Sequence, residues 1–261
     1  MRLPDYSVTG DGSITVVLLH GAFGAKDYWR GQIEALNAAG YRVLAWDAPG
    51  YGISPLPEPF GIEECAIALV ALLRLAGGRR NIVLGHSMGG MIAQRGFDLA
   101  PDLLHGLVLS ATSAAFGRSD GDWQQQFVRD RVAPLDAGKT IPEFAPAMLR
   151  KMMRPGASGS GVDMVIDIVS RMRPETFRAA VAAITRYDGR AILAKMNIPV
   201  LAIAGALDRT APAEVMEKMA GKIAGAEFVN LPDVGHFGWA EDAVTFNRHL
   251  LDFLRRRCSS L

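Results

Sequence analysis

Six short apolar runs constrain this 261-residue chain more than any other feature. They are ITVVLLH (14–20), YRVLAWD (41–47), NIVLGHS (81–87), LHGLVLSAT (104–112), PVLAIAGA (199–206) and AEFVNLPD (226–233). Each is rich in Val, Ile and Leu and apolar on both faces. A strand of that kind needs cover above and below, which a parallel sheet between helical layers supplies. Longer amphipathic segments separate the runs, at 28–38, 62–76, 88–99, 188–196, 212–223 and 240–257. In the last, Val244, Leu250, Leu251 and Leu254 are expected on one apolar face, with Arg248 and Asp252 turned away. This alternation predicts a doubly wound, mostly parallel α/β sheet with right-handed crossovers.

The alternation stops between about residues 114 and 185. That stretch holds four helix-like pieces, DWQQQFVRDRV, PEFAPAMLRKMM, VDMVIDIVSRM and PETFRAAVAAIT, with a glycine-rich link, PGASGSG (155–161), between the middle two. The expected organisation is a core from residues 1–113 and 186–261, and a helical insertion, 114–185, after the fourth of the six predicted strands. A hydrophobic content of 49% with 21% charged residues suits one sizeable buried core.

Charge narrows the possible partners. With 28 basic and 27 acidic residues, the net charge of +1 gives no electrostatic ground for binding nucleic acid or an anionic membrane. The basic run Arg255-Arg256-Arg257 reads as a helix C-terminus, where positive charge is favoured. No apolar run reaches the roughly 18–20 residues that span a bilayer, and MRLPDYSVTGDGS lacks the apolar core of a signal peptide. Cys65 and Cys258 belong to no metal-type or redox-type pair, so no disulfide framework is expected. The expectation is a soluble, cytoplasmic monomer or homodimer.

The chemistry centres on NIVLGHSMGGMIA (81–93). A strand that turns at once into a helix makes a tight corner whose neighbours must be small. Gly85 and Gly89 flank Ser87 in a G-x-S-x-G pattern, and Gly90 follows where helix meets sheet. Such a corner lifts the serine hydroxyl above the carboxyl ends of the strands. It also sets the N–H of Met88 at a helix N-terminus, where an oxyanion would form. A serine needs a base, and the base an orienting acid. Among five histidines, His236 lies in the loop after the last strand, on the same side of the sheet as Ser87. Asp208 follows the preceding strand and completes the order Ser–Asp–His; Asp233 is the rival acid. A second oxyanion donor is expected in HGAFG (20–24), from Ala22, with Phe23 as the alternative. Phe23, Tyr51, Phe116, Trp123 and Trp239 are expected to shape the substrate site. One inward-turned arginine of the insertion, from Arg118, Arg129, Arg131, Arg154, Arg171, Arg173 and Arg178, could pair a substrate carboxylate. This chemistry calls for no metal and no organic cofactor.

The motifs HGAFG, DAPGYGIS (47–54), GHSMGG (85–90), GALDRTAP (205–212) and GHFGWAED (235–242) resemble, in kind and order, those of the α/β-hydrolase family. The resemblance implies that the insertion is a cap over the active site. Within the family the chain is most similar to 3-oxoadipate enol-lactonases and related ester and C–C bond hydrolases. Trp239 stands where enol-lactonases often carry a polar residue. The implied reaction is hydrolysis of a small-molecule ester or lactone through an acyl-enzyme on Ser87. Two alternatives stay open: C–C bond hydrolysis of a meta-cleavage product, and a ligand-binding receptor with a silent triad. Haloalkane dehalogenation is disfavoured, because by family resemblance it uses an aspartate at the corner.

Overall fold

The structure, a computed structural model, describes residues 3–116 and 122–258. Seven strands form one sheet: β1 (Asp5–Thr9), β2 (Ile14–Leu19), β3 (Arg42–Asp47), β4 (Arg80–His86), β5 (Gly106–Ser110), β6 (Val200–Gly205) and β7 (Glu227–Leu231). Their order across the sheet is β1-β3-β2-β4-β5-β6-β7. Every pair is parallel except β1 with β3, which run antiparallel with Asp5 opposite Asp47 and Thr9 opposite Val43. The six runs expected from sequence are β2 to β7. The extra strand, DYSVT, is an edge strand with no fully buried residue and lacks a two-sided apolar pattern; β7, expected to be covered on both faces, is the other edge strand and buries only Leu231.

Helices α1 (Arg30–Ala38), α2 (Ile62–Ala76) and α3 (Met88–Leu99) connect the first strands. Between β5 and β6 come α4 (Asp122–Asp136), α5 (Ile141–Arg150), α6 (Ser160–Ser170), α7 (Pro174–Thr185) and the short α8 (Arg190–Leu193). The chain leaves and returns at one point. Ala115 bridges Asp188, and the Gly189 N–H donates to the Ala114 carbonyl at 2.6 Å. The helical insertion thus follows the fifth strand of seven, the fourth of the six foreseen. After β6 come α9 (Ala213–Ala220), α10 (Gly238–Glu241) and α11 (Ala243–Phe253), the last running into a π-helical turn, Leu254–Cys258.

The final helical segment departs from the single helix expected over 240–257. Asp242 leaves helical geometry (φ −144°, ψ 73°) and caps α11 by accepting the Thr245 N–H at 3.0 Å, which separates α10 from α11. The buried face also differs. Phe246, Leu250, Phe253 and Leu254 are buried, whereas Val244 is 82% exposed and Leu251 only half-buried. Phe246 and Leu250 recur at four residues, and Val244 falls about 200° round the helix from Phe246. Beyond them Arg256 pairs with both Asp252 and Glu227, and Arg257 with Glu227, tying the basic run to the edge strand β7. Cys65 and Cys258 are free and buried. Among the described residues no helix is long and apolar enough to cross a membrane.

Candidate active site

Ser87 sits between β4 and α3 with φ 53° and ψ −118°, a region that side-chain-bearing residues avoid. The corner is over-determined by its hydrogen bonds. The Ser87 N–H donates to the Ser110 carbonyl at 2.9 Å, and its carbonyl accepts from Gly90 N–H at 2.9 Å and Thr112 Oγ1 at 2.7 Å. The flanking glycines are required by close approach. A Cβ at Gly85 would lie 2.3 Å from the Gly89 carbonyl oxygen, and one at Gly89 2.3 Å from that of Leu19. Met88 is the first residue of α3, so its N–H has no acceptor within the helix. Ser87 is partly buried at this rim, and among the described residues no hydrogen bond joins its Oγ to His236 or any other group.

His236 and Asp208 meet at the same rim. Nδ1 of His236 donates to Asp208 Oδ2 at 2.7 Å, with both side chains buried. Asp208 Oδ1 accepts from the N–H groups of Thr210 (2.7 Å) and Ala211 (3.1 Å). Burial alone would raise the carboxyl pKa. The adjacent His236 and these backbone donors outweigh it and hold the pKa below the usual carboxylate value. Asp208 therefore stays ionised and selects the His236 tautomer whose Nε2 is free to accept a proton. The rival Asp233 is exposed and in the turn before His236. The His236 ring lies 4.8 Å from that of His86, the residue before Ser87, which brings the histidine loop to the corner. Burial, reinforced by His236, pushes the His86 pKa well below the ordinary imidazole value, so its neighbour is a neutral ring.

The loop after β2 is fixed by buried side chains from several segments. Tyr28 Oη accepts the Gly21 N–H at 2.7 Å. His20 Nδ1 donates to the Gly21 carbonyl at 2.8 Å, while its Nε2 accepts from Ala48 N–H at 3.0 Å. That pair of bonds needs a neutral imidazole, and burial lowers the His20 pKa accordingly. Lys26, beyond the loop, donates its N–H to Asp47 Oδ1 at 2.8 Å, and its ammonium pairs with Asp47 and Asp5. Asp47 is thus a turn anchor beside the site. The clue available in sequence was the position of His20 and Asp47 at the ends of neighbouring strands.

The residues expected to shape the pocket separate into distinct places. Tyr51 is buried, donates its hydroxyl to the Ala22 carbonyl at 2.9 Å and packs its ring on His20 at 4.5 Å. It holds the loop. Phe23 stacks on Phe177 of α7 at 5.2 Å, and Phe177 meets Phe144 of α5 edge-on at 5.5 Å, which links this loop to the insertion. Trp239 is 1% exposed and packs on Tyr28 (4.2 Å) and Trp29 (4.9 Å) in an aromatic core behind His236. Phe116 and Trp123 stack on each other at 5.0 Å. They line a surface groove of about 450 Å³ whose other walls include Arg209, Thr210, Pro212 and Met219 rather than Ser87. Of the insertion arginines, Arg118 lies outside the described residues.

The chain matches the alpha/beta hydrolase family over residues 16–248. It belongs to that family, as the motifs lead one to expect. It is 27% identical over 245 residues to a pimeloyl-(acyl-carrier protein) methyl ester esterase of Neisseria meningitidis, covering 92% of this chain and 76% of the other. A solved hydrolase from Pseudomonas aeruginosa superposes with a TM-score of 0.85 at 29% identity, covering 95% of this chain and 93% of that one. The enol-lactonase from Burkholderia xenovorans superposes with a TM-score of 0.84 at 26% identity, covering 96% of each.

Proposed function

We propose that the protein is a serine hydrolase of small carboxylic esters or lactones, with an enol-lactone-like substrate favoured. Ser87 Oγ attacks the carbonyl as His236 takes its proton. Asp208 holds the imidazole and stabilises the imidazolium that forms. The N–H groups of Met88 and Ala22 receive the oxyanion. His236 then protonates the leaving alkoxide or enolate and activates the water that releases the acid. Residues 114–185 act as a cap that selects the acyl group. The observation that carries this reading is the buried 2.7 Å His236–Asp208 bond beside a serine held at positive φ. The names of relatives, an esterase and an enol-lactonase among them, support the ester and lactone class.

The cap arginines narrow the search for a carboxylate clamp. Arg171 pairs with Asp167 and Arg178 with Asp136; Arg129 donates to Gln126, and Arg173 to the carbonyls of Gly50 and Ser54. Arg131 lies over the Phe127 ring at 4.6 Å and keeps a buried Nε with no acceptor. Arg154 likewise makes no side-chain ion pair or hydrogen bond among the described residues, and of the two Arg131 is taken as the partner to test for an acidic substrate. The test is a side-by-side assay of an enol-lactone, a vinylogous diketone and short p-nitrophenyl esters, with wild type and Arg131→Gln. Turnover of the lactone and esters, with KM raised in the variant for the acidic substrate alone, is expected. Turnover of the diketone alone would move the assignment to C–C bond hydrolysis, and stoichiometric binding without turnover to a receptor.

A further inference from the structure

The base stands on a loop of irregular structure, residues 232–237, between β7 and α10. One carboxylate holds that loop from both sides of His236. Glu241 Oε2 accepts the N–H of Gly235 at 3.0 Å, and its Oε1 accepts that of Phe237 at 3.0 Å. The same Oε2 accepts the N–H of Arg154 at 2.7 Å, from the turn that follows α5 in the insertion. His236 sends its own N–H across to that turn, to the Met152 carbonyl at 2.8 Å. The two segments approach so closely that a Cβ on Gly235 would lie 2.6 Å from the Met152 oxygen and 2.8 Å from the Arg154 nitrogen.

We propose that Glu241 is a positioning residue for the base, and that through it the helical insertion is part of the catalytic scaffold as well as a cover. This rests on the reading of His236 as base. All three groups at Glu241 are donors, so the site calls for an acceptor-only side chain, and charge-assisted bonds of this kind are roughly twice as strong as neutral ones. The loop has no regular hydrogen-bond ladder of its own. Its freedom is removed by these bonds, and with it the freedom of the imidazole to leave Asp208. A base displaced by about 1 Å costs on the order of 10²-fold in rate. Glutamine can still offer one oxygen to Gly235 and Arg154 together, but it turns its NH2 donor toward the Phe237 N–H and loses that bond.

The experiment compares Glu241→Ala and Glu241→Gln with wild type by two readouts. The first is kcat and KM on a short p-nitrophenyl ester. The second is the low-field proton resonance of His236 Nδ1–H, which needs no substrate. Expected for Glu241→Ala is a kcat lower by about 10²-fold with KM within about threefold, and a low-field resonance that is broadened or lost while the fold is retained. Glu241→Gln should restore the resonance and bring kcat to within about tenfold of wild type. Should the alanine variant not fold, Gly235→Ala, which attacks the same junction from the other side, should give its signature. A folded Glu241→Ala with wild-type kcat and an unaltered resonance would overturn the proposal. So would equal losses in both variants with the resonance intact. A wild type inactive on every ester, whose resonance still depends on Glu241, would remove the hydrolase reading and leave the positioning role standing.

Discussion

The carboxyl rim of the sheet and the helical insertion above it are built by different rules. At the rim, geometry is imposed by backbone. Ser87 and Ala111, the two non-glycine residues with positive φ among those described, both stand at strand ends there, and each is pinned by main-chain hydrogen bonds to a neighbouring strand. In the insertion, geometry is imposed by side-chain packing. Helices α5, α6 and α7 bury Ile141, Phe144, Leu149, Val162, Val165, Val169, Phe177 and Val181, whereas α4 buries nothing completely and leaves Trp123 54% exposed. On the proposed reading, the difference separates reactivity, held at the rim, from selection, held in the insertion. Reactivity needs atoms fixed to fractions of an ångström, which strained corners and caged carboxylates provide. Selection needs a surface of suitable shape, which apolar packing away from the Met152–Arg154 turn and Phe177 can vary.

The sharpest way to break this contrast is to strike the rim. Asp208→Asn should leave the fold intact and lower kcat by about 10⁴-fold, because the amide no longer enforces the tautomer of His236. A loss under tenfold would mean that Asp208 does not orient the base. Next comes the insertion. Phe177→Ala removes the ring between Phe23 and Phe144 and should cost about 3–5 kcal/mol of stability in urea titrations. It should alter ester preference while Ser87 keeps its reactivity toward a small phosphonate. Equal loss on all substrates and on the phosphonate would place Phe177 with the chemistry.

A smaller effect separates the two regions by acid. All five histidines lie outside 114–185, and burial holds the pKa values of His20 and His86 below the ordinary one. The unfolded chain binds these protons near pH 6.5. Below that pH, down to the lowered native values, the unfolded state therefore binds more protons than the native one. Stability should fall as pH drops below about 6.5, by up to about 1.4 kcal/mol per pH unit for each group, and be flat above it on their account. His86→Gln should remove up to one proton from that slope in denaturation measured between pH 7 and 5.5, and an unchanged slope would mean that His86 is charged in the native state. The smallest change belongs to Trp123→Ala. With its ring half in solvent and packed on Phe116 and Phe127, it should cost about 0.5–1 kcal/mol and leave phosphonate reactivity unchanged.

The same division decided what could be read without coordinates. Two-sided apolar runs gave away β2 to β6, since burial on both faces leaves no room for polar residues, whereas the edge strand β7 buries only Leu231. Helix α2 spans Ile62–Ala76, the segment expected. The edge strand β1 carried no such signal. At the rim, the Ser87 bend was legible in the glycine spacing and the Asp208–His236 pair in the chain order. The pocket was not. Trp239 and Tyr51 are aromatic residues near the right motifs, but an aromatic that packs behind a site has the same sequence signature as one that lines it. Glu241 left no trace either, because its bonds go to backbone N–H groups of three residues, and backbone carries no letter in a sequence.

The measurement that bears most directly on the central claim is the mass of the protein after reaction with a small fluorophosphonate, followed by peptide mapping and turnover on a p-nitrophenyl ester. A single adduct on Ser87 is expected, none in Ser87→Ala, and a folded Ser87→Ala whose kcat is lower by at least about 10⁴-fold. An adduct on another residue, or a Ser87→Ala variant that turns over at the wild-type rate, would contradict that claim.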